Sequence, residues 1–137
     1  MGYSRPRIFV LNGSSSTSNP SDSSVYYFGS LVIGLDVGAD NSRIYMPFSG
    51  VIRRAIAHCT CAAGSAEDVP MVIRKNNTTD YAIDTQTLAV AVRLFSNYSL
   101  NIPVAQGDYV NFKISTPAWA TNPTSIRFGW QLVIETA

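Results

Sequence analysis

Charge is what this sequence has least of. Only 14% of its 137 residues are Asp, Glu, Lys or Arg, against ~25% in an ordinary soluble domain. Ten basic side chains nearly cancel nine acidic ones, leaving a formal net charge of +1. A balance so close to zero removes the broad electrostatic footprint of a nucleic-acid or anionic-membrane binder, so neither is expected as a partner. One histidine, His58, and two cysteines, Cys59 and Cys61, are too few for most metal or redox frameworks. No apolar run approaches the ~18 residues of a membrane span, so membrane insertion is not expected. The apolar run behind the basic start, Ile8-Phe9-Val10-Leu11, is also shorter than the ~7–15 residues of a secretion signal's core. Reduced thiols and no signal point to synthesis in a cytosol.

What the chain does have is apolar residues, 46% of the total, with 16 Ser, 10 Thr and 9 Asn as its polar balance. That is enough to bury a core, and the length fits one domain. Residues 12–24 are a Ser-rich polar loop, so residues 1–24 read as a strand or arm plus loop ahead of a domain over 25–137. From Val25 onward, aromatic and β-branched runs alternate with Gly, Pro, Asn and Asp every 8–12 residues, the spacing of an all-β sandwich or barrel.

Periodicity of two supports this. Ile126, Phe128, Trp130, Leu132 and Ile134 share one parity, as do Val110, Phe112 and Ile114, then Leu100, Ile102 and Val104, then Met71 and Ile73. Leu88, Val90, Val92 and Leu94 suggest one more half-buried strand running to Phe95. Asn76-Asn77 and Gln106-Gly107-Asp108 supply hairpin turns. Eight to ten strands are predicted, and no helix longer than a turn or two. Phe95, Val133, Val72, Ala55 and Ala57 add apolar side chains to the second faces, which a neighbouring subunit would cover.

Catalysis is hard to assemble from these residues. His58 is the only imidazole, set mid-strand with Cys59 facing away from it, and no Gly-x-Ser-x-Gly elbow is present. The carboxylates fall mostly at loop positions, with no glycosidase pair in an aromatic cleft. Asp36–Asn41 faintly resembles a calcium loop but lacks the third oxygen ligand and the distal Glu. No enzyme activity, metal or cofactor is expected. Cys59 and Cys61, two apart in a strand, put both thiols on one face at ~6.5–7 Å between Cα atoms, at the edge of disulfide geometry, so they read as buried reduced thiols. Arg53 and Arg54 are either a solvated strand end or partners for carboxylates across a subunit contact, with His58 and Phe95 as further candidate interface residues. Trp119, in a proline-bounded loop, is either a lid over the barrel end or an exposed recognition residue. Tyr81 and Tyr98 pose the same choice.

Four stretches carry a family resemblance: Arg43-Ile-Tyr-Met-Pro-Phe-Ser-Gly-Val-Ile52, then Val72-Ile-Arg-Lys-Asn-Asn-Thr-Thr-Asp-Tyr-Ala-Ile83. Leu100-Asn-Ile-Pro-Val-Ala-Gln-Gly-Asp-Tyr-Val-Asn-Phe-Lys113 and Ile126-Arg-Phe-Gly-Trp-Gln-Leu-Val-Ile-Glu135 complete the set. In order and spacing, residues 25–137 resemble small phage- and virus-encoded knobs of the tumour necrosis factor and complement globular-head type. The resemblance implies a ten-strand antiparallel jelly roll that forms a homotrimer. It also implies a place in a virion, alongside other virion proteins, and a role in attachment to a host-surface glycan or protein. Two other functions are weighed: a capsid decoration or vertex protein without a receptor, and a small lectin-like domain.

Overall fold

A computed structural model describes residues 5–15, 18–30 and 39–136. The calcium-like stretch around Asp36 lies partly outside them, as does the chain's beginning at residues 1–4. Ten strands occupy the described residues: β1 Arg7–Ser14, β2 Val25–Phe28, β3 Ile44–Tyr45, β4 Gly50–Thr60 and β5 Asp68–Lys75, then β6 Thr79–Thr87, β7 Arg93–Asn97, β8 Ile102–Val104, β9 Tyr109–Ser115 and β10 Arg127–Thr136. Their only helical element is a single 3-10 turn at Ala39–Ser42. No helix among them is long and apolar enough to cross a membrane.

The strands form two antiparallel sheets. The first runs β1-β10-β4-β7, with β8 on the leading end of β4; the second runs β2-β9-β5-β6, with β3 beside β9. The two sheets face each other as an all-β sandwich of jelly-roll type, and the alternating residues read from the sequence line its interior. Ile126, Phe128, Trp130, Leu132 and Ile134 are at most 4% exposed, and Val110, Phe112 and Ile114 are fully buried. Phe28 joins the sheets: its ring stacks on Phe112 of its own sheet at 5.0 Å and on Phe128 of the other at 4.3 Å. Each such side chain removed from water contributes about 1.5–3 kcal/mol before entropy is counted. The turns also match. Asn76 and Asn77 both take left-handed φ between β5 and β6, and Gly107 does so between β8 and β9.

Two expectations change, and one open choice is decided. Residues 88–92 are a connection rather than strand, because the chain there crosses from β6 in the second sheet to β7 in the first. Alternation restarts in the opposite phase, so Val90, Val92 and Leu94 are 63%, 62% and 44% exposed while Phe95 is fully buried. Ala55 and Ala57 also face the core, not a second face. Ala57 sits in register between Trp130 and Phe95, and its small side chain leaves room for both rings. Val133 and Val72 do lie outward, half-buried. Finally, Arg7–Ser14 pairs along its whole length with β10, so it is a strand of the sheet and not a detached arm.

A β-bulge at Arg53 sets up the outer face of the first sheet. Val133 pairs with Arg54, yet Ile134 pairs with Ile52, leaving Arg53 as the extra residue. Ile52 and Ala55 can then both face the core with two arginines between them.

Candidate binding site

On the solvent face of the first sheet, register aligns Ser14, Gly129, His58 and Leu94 across four strands, and Asn12, Gln131, Ile56 and Ser96 in the next row. Neighbouring strands lie ~4.8 Å apart, so β1, β10 and β4 together make a groove about one sugar ring wide. Glycine makes the groove possible. His58 is exposed and its imidazole lies flat across Gly129, where an added Cβ would stand 2.7 Å from Nε2. Gly13 serves the floor: a Cβ there would stand 2.7 Å from Cζ2 of the buried Trp130.

The imidazole separates two shallow depressions, both edged by Ser14. One, of about 360 Å³, is lined by Asn12, Ile56, Trp130 and Gln131. The other, of about 270 Å³, is lined by Ser15, Thr60, Arg127 and Phe128. No carboxylate lines either one. Ser14 lies two strands from His58, at about 9–10 Å, with no hydrogen bond between them and no acid orienting the ring. These groups can donate and accept hydrogen bonds to a bound molecule from several directions.

The residues singled out from sequence fall in different places. Arg53, Arg54 and His58 share the outer face of β4. Arg53 Nη1 donates to Asn101 Oδ1 at 2.7 Å and its Nε lies 3.6 Å from Glu135 Oε2, so it is paired within its own chain. Arg54 is exposed and makes no ion pair with the described residues. Phe95, expected at a subunit contact, is in this chain's own core, 6.5 Å from the Phe128 ring. Trp119 is the lid of its two alternatives: it is 7% exposed, with its backbone N–H donating to Asp22 Oδ1 at 3.3 Å. Tyr81 packs half-buried against the core, and Tyr98 alone of the three aromatics is well exposed, at 58%. The three do not gather into one surface.

Cys59 and Cys61 are free and buried on the core side of β4. Burial, and then the neighbouring Cys61, pushes the Cys59 thiol up to about 12. Cys61 Sγ donates to the Ala89 carbonyl at 2.9 Å, and burial raises its thiol too. Among the described residues no group of three His, Cys, Asp or Glu is placed to hold a metal ion.

The second sheet carries self-contained charge. Asp80 accepts from Arg74 Nη1 and Lys113 Nζ, each at 2.9 Å. Partial burial works to raise its carboxyl, but those two bonds hold it below the usual carboxylate range. Lys75 lies 3.8 Å from Asp108, whose carboxyl is held low by the Ala105 N–H and the Asn76 amide. Arg43 lies over the Tyr109 ring at 4.2 Å and pairs with Asp40 at 2.7 Å. Sequence reasoning missed this cluster, because Arg43 and Tyr109 meet only through the pairing of β3 with β9. It missed Asn12, Gln131 and Arg127 as site residues as well, although the polar parity of the last strand was visible.

The fold therefore defines the class, an antiparallel jelly-roll sandwich, and a solved structure shares it at low identity. No family model and no curated protein sequence matches the chain. A solved structure described as the crystal structure of FLHE is similar at a TM-score of 0.55 and 11% identity, over 96% of this chain and 97% of that one. The structure of infectious bursal disease virus Gx strain gives 0.49 and 13%, over 96% of this chain and 32% of that one. A family two carbohydrate esterase from Cellvibrio japonicus gives 0.33 and 11%, over 94% and 35%. At these identities the FLHE likeness shows the fold alone.

Proposed function

We propose that this chain is a non-enzymatic structural protein of a virion, made in the host cytoplasm. It acts as a homotrimeric knob that attaches to the host surface by holding a glycan in the groove around His58. The observation that carries this reading is the groove itself: hydrogen-bonding side chains from three strands surround an imidazole seated on a glycine. Planar amides, hydroxyls and a bare backbone floor suit the ring and hydroxyls of a sugar. The order of motifs along residues 25–137 supports the knob and trimer. So do Ile8 and Val10, 64% and 52% exposed on the edge strand β1, which a neighbouring subunit would cover while leaving His58 open. The test is a glycan array probed with labelled protein and with the His58→Ala, Gln131→Ala double variant, alongside light-scattering mass. Glycan signal lost in the variant and a threefold mass are expected. An array without signal would sink attachment through sugar, and a monomer at micromolar concentration would sink the knob assembly.

A capsid-decoration role is the second reading, favoured by β1 as an exposed apolar edge strand able to pair with another protein. It predicts stoichiometric binding to capsids with no glycan signal.

A further inference from the structure

The net charge of +1 conceals a separation of charge between the two sheets. The strands of the second sheet carry Arg74, Lys75 and Lys113 against Asp68, Asp80 and Asp84, and each of those cations has an acidic partner. The strands of the first sheet carry Arg7, Arg53, Arg54, Arg93 and Arg127 against Glu135 alone. Arg53 takes that one carboxylate. The other four arginines make no ion pair with the described residues. A cationic sheet backed by a neutral one draws anions to one side of the molecule, with a potential that the sum over the chain hides.

The groove lies on the cationic side. Arg127 edges one depression, and Arg54 stands outward on β4 about 13 Å from His58, four residues along the strand. We propose that the groove binds an acidic sugar, with the Arg127 guanidinium taking the carboxylate or sulfate of one residue. The Ser14 and Thr60 side chains take its hydroxyls, and Asn12 and Gln131 take those of a neighbouring residue across His58. Arg54, about 20 Å from Arg127 along the sheet, meets an acidic residue further along a longer chain. A guanidinium offers a carboxylate or sulfate two parallel N–H donors, and with no carboxylate lining the groove nothing there competes for them. A nucleic acid fits less well. Bases need aromatic faces to stack on, and apart from His58 no outward position of the first sheet's strands carries an aromatic ring.

This inference rests on the groove being the glycan site, and the experiment separates the two. The probes are a hexasaccharide of alternating uronic acid and N-acetylhexosamine, its carboxyl-reduced neutral form, a sulfated hexasaccharide and a single-stranded oligonucleotide of equal charge. Calorimetric titration of the full chain is expected to show an acidic hexasaccharide binding at least about tenfold more tightly than the neutral one. Arg127→Gln should abolish that preference while leaving the urea-unfolding midpoint unchanged. The sulfated and uronic probes distinguish which acid is read. Equal affinity for acidic and neutral sugars would overturn the inference and leave the attachment reading standing. So would a preference that survives in Arg127→Gln. Tighter binding of the oligonucleotide would overturn the acidic sugar in favour of a nucleic-acid surface. No binding to any probe would overturn both readings.

Discussion

His58 rests on Gly129: the two face each other across β4 and β10, and the imidazole fills the space a side chain at position 129 would occupy. Gly13 and Trp130 repeat the arrangement one column over, with a buried indole in place of an exposed imidazole. The two glycines should therefore respond differently to alanine. Gly129→Ala meets a ring that is free to swing away, so unfolding free energy should change by less than about 0.5 kcal/mol. The His58 Cε1–H resonance should nonetheless move. Gly13→Ala meets a ring held 5.5 Å from Phe112, and lifting β1 off it should cost about 1–3 kcal/mol in urea unfolding. Equal costs at the two positions would contradict this geometry.

Phe28 spans the interior between Phe112 and Phe128, so its loss empties the space between the sheets. Phe28→Ala should destabilise by about 3–5 kcal/mol. The neighbours Leu94 and Phe95 test the phase of β7 in the same assay. Phe95→Ala should cost a similar amount and Leu94→Ala less than about 0.5 kcal/mol, provided the chain is measured as a monomer. A larger loss at Leu94 than at Phe95 would place the wrong face inward.

Asp80 makes stability depend on pH in one direction. Its folded-state carboxyl lies below the unfolded value, so the folded chain binds this proton less readily than the unfolded one. The contribution is therefore fully present above the unfolded value near ~3.9, and fades as pH falls through the folded-state value. Asp80→Asn should be less stable than the parent at pH 7 by no more than about 1 kcal/mol, since the side chains involved are partly exposed. The gap should narrow as pH falls towards 2. Urea midpoints at pH 7, 4 and 2 measure it, and a gap that stays constant would rule the linkage out.

Both thiols should be inert in the native protein. The Cys59 thiol, pushed up to about 12, holds almost no thiolate at pH 8 and is fully buried, while Cys61 is 6% exposed with its thiol also raised by burial. Iodoacetamide at pH 8 should leave the native mass unchanged and add two adducts once denaturant is present. A native adduct would show that β4 opens at Cys59 or Cys61.

The alternation of Ile126 through Ile134 made the last strand legible, because one buried face imposes period two wherever a strand stays within one sheet. Leu88 through Leu94 obeyed the same arithmetic and misled, since the chain leaves one sheet and enters the other there. A change of sheet resets which parity is inward, and nothing local marks it. The bulge at Arg53 did the same to Ala55 and Ala57. The groove was less legible than the core. Seating His58 on Gly129 and Gly13 over Trp130 depends on register between strands far apart in sequence. The separation of charge was hidden for a similar reason: it depends on which arginines find carboxylates, and composition records only totals.

The bulge at Arg53 also makes chain length locally adjustable. Two residues of β4 stand there where β10 supplies one. A chain lacking Arg53 would restore an unbroken ladder, with Ile52 and Ala55 still inward and Arg54 still outward. It would forfeit the Leu100 N–H bond to the Arg53 carbonyl and the link to Asn101. Most single deletions in a strand reverse every side chain beyond them. Here the reading frame of the sheet survives, which makes position 53 the point in β4 where related chains can lose a residue without refolding the sandwich.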